Sequence, residues 1–459
     1  MMLRSVLRRP QPLARSFSIA HDEIVALAQV SPTPLTLQQM KTFATNGPEL
    51  RLKAAPFVHK ELQIRFARAI VELSELPIGL NETKAVQMAI RNYTDHLESV
   101  RAAKVPTTLE EDAAFTTMIR AMKKRGSNLS LRLQEIQVRY LILASFCLIR
   151  AMKKRGSNLV PLICGGLQEV SHTEEGRNAL RLQEIQDSVN THLDTFFLSR
   201  IGIRMLIGQH STDGGRVKLC DVQDIVREAS ERASALCELY CGTPPKVIVK
   251  VAANGAAPFM YVRSHLHHMV FELLKNSMQA TVELYGPKSP RRETCSVMDT
   301  KPKMNHMSPL LGFVIPDVRS VSARIVCILI LVDGSPRRGE LPPITVVICQ
   351  GQEDLTIKIS DEAGGVRRSD WHRLWYYNYT TASKEPPQAL ATGDFREHFS
   401  GGGYGLPIAR LFARYFGGEI TFLSSEGYGS SAFIQAHRLG KQTELVPGHT
   451  TFTLQPLKF

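Results

Sequence analysis

The chain has 459 residues, a net charge of +13, 43% hydrophobic and 22% charged side chains, too long for one ordinary domain and too apolar for wholesale disorder. Eight cysteines without a C-x-x-C pair exclude a disulfide scaffold or a zinc ribbon, and no uncharged apolar run reaches the ~18 residues of a membrane span. The positive charge is confined to residues 1–21, 119–148 and 287–340, leaving the rest neutral; a nucleic-acid binder carries its basic patch on the folded domain, so nucleic acid is not an expected partner.

Residues 1–21 hold Arg4, Arg8, Arg9 and Arg15 among Leu3, Val6, Leu7 and Leu13, with Ser5, Ser16 and Ser18, and the first acid is Asp22. That pattern reads as a mitochondrial transit peptide and predicts a mitochondrial matrix location. Residues 22–235 read as a helical bundle. Leu62, Phe66, Ile70 and Leu73 recur at helical spacing within 59–76, and Leu193, Phe196, Phe197, Ile201, Met205 and Leu206 do so within 187–210. The string IRAMKKRGSNL at 119–129 returns unchanged at 149–159, and LRLQEIQ at 131–137 returns at 180–186. With two copies at unequal spacing this is no solenoid, and 119–148 reads as a partial duplication or insertion.

From about 236 to 440 the pattern turns α/β. Strands are expected at 245–252, 344–349, 355–360, 420–424 and 431–437, and helices at 264–283 and 406–416. Residues 287–340, rich in Pro, Arg and Ser, read as an insertion, and 441–459 as a C-terminal tail. The whole predicts a helical bundle followed by a two-layer α/β sandwich.

Three elements of the second part carry chemistry. On the helix at 264–283, His268, Glu272 and Asn276 fall at i, i+4 and i+8 with Lys275 beside them, all within one arc of about 100°. Leu266, Val270, Leu273, Ser277 and Ala280 occupy the opposite, sheet-facing side. The Asn amide oxygen suits Mg²⁺, and Glu272 can take a proton that His268 tunes. The same spacing also suits a solvated helix face with an i,i+3 Glu–Lys pair. The second element, Ser360-Asp361-Glu362-Ala363-Gly364-Gly365-Val366, follows a strand and lets a planar base approach the backbone, with Asp361 accepting from an exocyclic amine. It also suits an ordinary Asp-Gly turn. The third, Ser400-Gly401-Gly402-Gly403-Tyr404-Gly405-Leu406-Pro407, offers bare N–H groups at a helix N-terminus, an anion site suited to phosphates. It is neither a Walker A loop nor a Rossmann fingerprint.

Polar helix, strand–Asp–Gly, then Gly-loop–helix is the order of the Bergerat ATP-binding fold. The wording is more specific: HHMVFELLKNSMQAT resembles the N-box of the mitochondrial pyruvate dehydrogenase kinases, EDLTIKISDEAGGV their G1 box, and GGGYGLPIARLFARYFGGE their G2 box. SRIGIRMLIGQH at 199–210, SPTPLTLQQM at 31–40 and residues 61–77 resemble their helical domain. The resemblance implies a Bergerat-type ATP-binding kinase domain at 236–440. It implies Glu272 as general base toward a protein Ser hydroxyl, His268 as its modulator, Lys275 near phosphate, Asn276 on Mg²⁺ and Asp361 on adenine. It implies ATP contacts at Gly365, Thr380, Thr381, Gly401, Gly403, Tyr404, Gly405 and Leu406. It further implies the decarboxylase component of the pyruvate dehydrogenase complex as substrate, the lipoyl domain of the acyltransferase core as dock, and a homodimer. Departures are Ala363 at the first G1 glycine, Gln279 in place of an N-box arginine, and no C-terminal Asp-Trp element. Alternative readings are a branched-chain 2-oxoacid dehydrogenase kinase, which shares the nucleotide site, a histidine-kinase-like protein with His210 as acceptor, and an ATP-binding regulator inactivated at Ala363.

Overall fold

The computed structural model describes residues 19–45, 47–138, 182–252, 258–286, 341–380, 403–438 and 440–447, with a few positions between 163 and 180. Of the expected leader, 1–18 lie outside the described residues; Ile19 is buried and His21 opens the first helix. The second copy of the repeat, at 149–159, and the insertion at 287–340 also lie outside.

The first part is helical: α1 (His21–Gln29), α2 (Leu37–Thr45), α3 (Gly47–Ser74), α4 (Lys84–Ala102), α5 (Leu109–Val138) and α6 (Gln183–Ser211). The apolar spacing read from the sequence faces inward as expected, with Leu62, Phe66 and Leu73 of α3 meeting Leu193, Phe196 and Phe197 of α6 in one buried core. Helix α3 begins twelve positions before the expected 59 and accommodates Pro56. Helix α5 continues through the first copy of the repeat to Val138. Among the described residues no helix is long and apolar enough to cross a membrane.

Next come β1 (Val217–Cys220), α7 (Val222–Cys241), β2 (Val247–Val251), β3 (Phe259–Val262), α8 (Arg263–Tyr285), β4 (Ile344–Gln350), β5 (Asp354–Asp361), α9 (Gly405–Arg414), β6 (Glu419–Ser425) and β7 (Gly429–His437). Five strands form a mixed sheet in the order β2-β4-β5-β7-β6, parallel only between β2 and β4. Helices α8 and α9 pack on one face. Leu355, Ile357 and Ile359 of β5 are buried on it, while Thr356, Lys358 and Ser360 point the other way, as the alternation predicts. The pair β1–β3 forms a second, two-stranded sheet. The expected break after residue 235 falls inside α7, a continuous helix capped by Asp221. Its stripe of Ile225, Val226, Ala229, Ala233 and Cys237 is buried, and α7 packs along α8, so the chain cannot be divided there.

Residues 441–447, expected as a tail, return to the bundle instead. Thr443 bridges to Thr36. Buried Glu444 takes Arg65 in a fork, Nη2 to Oε1 at 2.6 Å and Nη1 to Oε2 at 3.1 Å. It also accepts from Tyr415 Oη and from Leu35 N–H. Arg65 reaches Glu61 at 3.3 Å and donates to Thr33 O; Gly202 leaves it room, since a Cβ there would stand 2.5 Å from Nη1. Removing one member of a buried pair strands the other charge. Glu444→Ala is therefore expected to cost about 3–5 kcal/mol, measured as a fall in the urea midpoint at unchanged slope.

Candidate active site

Helix α8 follows β3 without a loop, which places its His268–Asn276 stretch at a fixed height above the sheet. Leu266, Met269, Val270, Leu273 and Leu274 are buried, and this apolar seat holds the polar stripe in place. Glu272 and Lys275 are buried as well, with Nζ 2.5 Å from Oε2. The solvated Glu–Lys face that the spacing also allowed is thus not what forms. Burial pushes the Glu272 carboxyl up, but the charge and hydrogen bond of Lys275, with His268 adding when it is protonated, hold the group below its ordinary value. Burial lowers His268 in turn, so it is neutral at pH 7. Its Nε2 is buried with no hydrogen-bond partner among the described residues. The ring stands edge-on to Phe412 at 5.2 Å.

The glycine-rich turn closes on this stripe. A Cβ built on Gly405 would fall 2.2 Å from Glu272 Oε2, so the first residue of α9 lies directly against the carboxylate. Tyr404 caps α9 with backbone only, Pro407 has no N–H, and the first-turn amides of Gly405 and Leu406 stay available to an anion. Tyr404 and Leu406 pack their side chains on the core. Gly403 adopts φ +71°, and a Cβ there would stand 2.5 Å from the backbone nitrogen of Tyr379, so only glycine fits. Thr380, which is exposed, follows Tyr379 directly in the chain. Thr381 and Gly401 lie outside the described residues.

Asp361 ends β5 below the helix. Its Oδ2 accepts from Ser277 Oγ at 2.6 Å and its Oδ1 from the N–H groups of Ala363 and Ser430 at 3.1 and 3.2 Å. Burial raises its pKa against these three bonds. Gly364 and Gly365 take φ +78° and +68°, and a Cβ on Gly365 would meet Ser425 O at 2.3 Å. Ala363 is not among the residues with positive φ, so its backbone is unstrained where the resemblance expects glycine. Gln279, in the arginine's place, donates to Glu283 at 3.1 Å.

Asn276 is half-buried beside Glu272, and its amide makes no hydrogen bond to a described residue. Mg²⁺ takes one or two protein oxygens, several waters and substrate phosphates rather than an all-protein cage. One open amide oxygen next to an anion site fits that demand. Among the described residues no three His, Cys, Asp or Glu side chains gather as a metal cage.

The structure thus brings together His268, Glu272, Lys275, Asn276, Gly403, Tyr404, Gly405 and Leu406 along α8 and the head of α9, with Asp361 and Gly365 at the end of β5. Ser277 was read only as sheet-facing; that orientation is right and carries its hydroxyl to Asp361. His265, its ring tilted against Phe412 at 4.3 Å, was not singled out. His210 is buried, its Nε2 2.9 Å from Asp112 Oδ1 and its ring against Phe115, so it is not placed to accept phosphate from solvent. A small cavity of about 30 Å³ lies in the bundle, lined by Leu35, Met40, Phe57, Leu206, Gln209 and His210 among others. It is mostly apolar, is lined by neither Glu272 nor Gly405, and is too small for a nucleotide.

The family described as mitochondrial branched-chain alpha-ketoacid dehydrogenase kinase matches residues 34–140 and 143–212, within the helical part. Over nearly the whole length the chain is similar to proteins named "[Pyruvate dehydrogenase (acetyl-transferring)] kinase, mitochondrial". One from Arabidopsis thaliana is 32% identical, covering 90% of this chain and 93% of the relative. One from Drosophila melanogaster is 31% identical, covering 94% and 90%. One from Schizosaccharomyces pombe is 28% identical, covering 92% and 97%.

Proposed function

We infer that this chain, which belongs to the mitochondrial pyruvate dehydrogenase kinase family, moves the γ-phosphoryl group of ATP to a serine hydroxyl on the decarboxylase component of the pyruvate dehydrogenase complex and so inactivates it. The chain is a mitochondrial protein serine/threonine kinase. The observation that carries the chemistry is the Gly405 backbone seated on the Glu272 carboxylate, which joins a base and an anion-binding helix terminus in one place.

Phosphoryl transfer depends on positioning and charge neutralisation more than on covalent help. We assign Glu272 to accept the serine proton as the oxygen bonds to phosphorus. Its depressed pKa keeps it ionised at neutral pH. Neutral His268 keeps a second positive charge away from the carboxylate. Lys275 holds one carboxylate oxygen and leaves the other to the hydroxyl. The first-turn amides of Gly405 and Leu406, with Gly401 and the turn at Gly403, bind phosphate oxygens. Asp361, braced by Ser277 and two N–H groups, accepts from the adenine amine above the close-packed Gly365, with Thr380 and Thr381 ahead of the turn. Mg²⁺, held by Asn276, would supply charge neutralisation on the phosphates. These roles belong to a Bergerat-type ATP-binding unit, and we place its start between α6 and β1 rather than at 236.

An ATP titration with and without Mg²⁺ tests the site. The wild type is expected to bind ATP more tightly with Mg²⁺. Asn276→Ala is expected to lose that gain, a drop of about tenfold or more in affinity at saturating Mg²⁺; equal Mg²⁺ dependence in both proteins would remove Asn276 from the assignment. The match of the helical part to the branched-chain family supports a second reading of the substrate. Phosphate incorporation into purified pyruvate versus branched-chain decarboxylase separates the two, with the pyruvate enzyme expected as the better substrate.

We also propose a homodimer, a lipoyl-domain dock and a matrix location. The sheet face opposite α8 and α9 supports the dimer: it carries half-buried Val347 and Phe433, and Leu423 is 54% exposed.

A further inference from the structure

The segment that carries Thr380 is tied to the helical bundle by bonds that the chemistry above does not use. Tyr377 is buried, with its ring 5.4 Å from Phe197 of α6. Its hydroxyl donates to Asp194 Oδ1 at 2.6 Å, and its backbone N–H donates to Asn190 Oδ1 at 3.0 Å. Tyr376 Oη donates to Asp187, one turn before Asn190 on α6. Three acceptors on one helix thus hold two adjacent residues of a non-helical segment.

The next residue passes this restraint on. Asn378 is held at φ +65°, one of two non-glycine residues with positive φ among the described residues. Its N–H donates to Gly403 O at 3.1 Å. A Cβ on Gly403, itself at φ +71°, would stand 2.5–2.7 Å from the Asn378–Tyr379 backbone, so the glycine lies close against it. Two residues later Gly405 rests on Glu272. A second tie runs beside the first, since the Arg410 guanidinium of α9 lies 4.3 Å over the Trp375 ring. A left-handed asparagine costs about 1 kcal/mol or more, so this arrangement persists because its neighbours impose it.

We propose that the Tyr377–Asp194–Asn190 contact is a positioning element for ATP: the bundle helix α6, through Asn378, holds the Gly403 turn in its phosphate-binding shape before the nucleotide arrives. The inference rests on the nucleotide site assigned above. Without the latch the turn has more conformations to lose, and that ordering cost appears in ATP binding. The phosphoryl step, once ATP is seated, is little changed. The expected signature is therefore a split: KM rises while kcat holds.

The test is ATP titration and steady-state kinetics on the full chain with purified decarboxylase. Tyr377→Phe removes only the hydroxyl and keeps the ring against Phe197; Asp194→Leu removes the acceptor; Asp194→Asn keeps a carbonyl oxygen able to accept from Tyr377. The first two are expected to raise Kd and KM for ATP about tenfold, with kcat within twofold of wild type, and their combination to be no worse than either alone. Asp194→Asn is expected to restore binding to within about threefold of wild type. Should Asp194→Leu fail to fold, Tyr377→Phe still decides. Wild-type ATP affinity in Tyr377→Phe, or a loss confined to kcat, overturns the latch while leaving the nucleotide site standing. Absence of ATP binding by the wild type would overturn both.

Discussion

Glu272→Gln is expected to lower kcat by about a thousandfold, within the range of general-base contributions, and to leave ATP affinity within about threefold of wild type. Glutamine keeps the shape of the side chain and can still accept from Lys275, so the buried packing around α8 survives. It cannot take a proton from serine. The pH profile adds an independent reading. Burial raises the Glu272 pKa, and the charge and hydrogen bond of Lys275, with His268 adding when it is protonated, more than reverse this. A group whose pKa is depressed in the folded protein loses its charge only when pH falls through that depressed value. The acid limb of kcat should therefore lie below the ordinary carboxylate range in the wild type. Lys275→Met removes a lowering influence and leaves burial in force, so the limb should move to higher pH. More than a tenth of wild-type kcat in Glu272→Gln would take the base role from this residue. An acid limb unmoved in Lys275→Met would mean that another group sets the profile.

Much of the candidate site was legible because its parts are periodic. The stripe of His268, Glu272 and Asn276 follows from the helical repeat, and Leu355, Ile357 and Ile359 from the strand repeat. The ends of α8 and β4–β7 fall within about two residues of expectation, because Gly417-Gly418 and the turn at 351–353 punctuate them. Strand β1 escaped since Val217-Lys218-Leu219-Cys220 is too short to show alternation. Helix α7 was read only as part of the bundle and cut at 235, although Asp221, which accepts from the N–H groups of Gln223 and Asp224, is an ordinary N-cap signal; the neutral alternation of small and charged residues behind it hid the stripe. Other features lay beyond any local pattern. Glu444 sits in a polar stretch that composition alone assigns to solvent, and only the approach of Arg65 and Tyr415 makes it a core residue. Tyr377 reads as one aromatic in a loop until the fold sets Asp194 beside it. Local spacing fixes which face a side chain occupies; long-range closure decides what it meets there.

The closure that matters most is that of α9 on α8, and Gly405→Ala probes it with one methyl group. The added Cβ would stand 2.2 Å from Glu272 Oε2 and 3.2 Å from its Cδ, far inside van der Waals contact. The carboxylate has little room to retreat, because Lys275 grips the same oxygen at 2.5 Å. Either the carboxylate or the head of α9 must shift by about 1 Å, and a displacement of that size at reacting groups costs about a hundredfold in rate. Stability should not fall in step: Gly405 is outside the left-handed region, and alanine favours a helix over glycine by about 1 kcal/mol. A loss of kcat/KM of a hundredfold or more at a nearly unchanged Tm is therefore expected. Gly351→Ala, in the β4–β5 turn where the nearest atom is 3.4 Å away, should stay within twofold and controls for the chemistry of the exchange. The double variant Gly405→Ala with Glu272→Gln should be no slower than Glu272→Gln alone, since both act through one carboxylate. Additive losses would mean that the methyl harms the phosphate turn and not the base. Full activity in Gly405→Ala would mean that the two elements do not meet in the working enzyme.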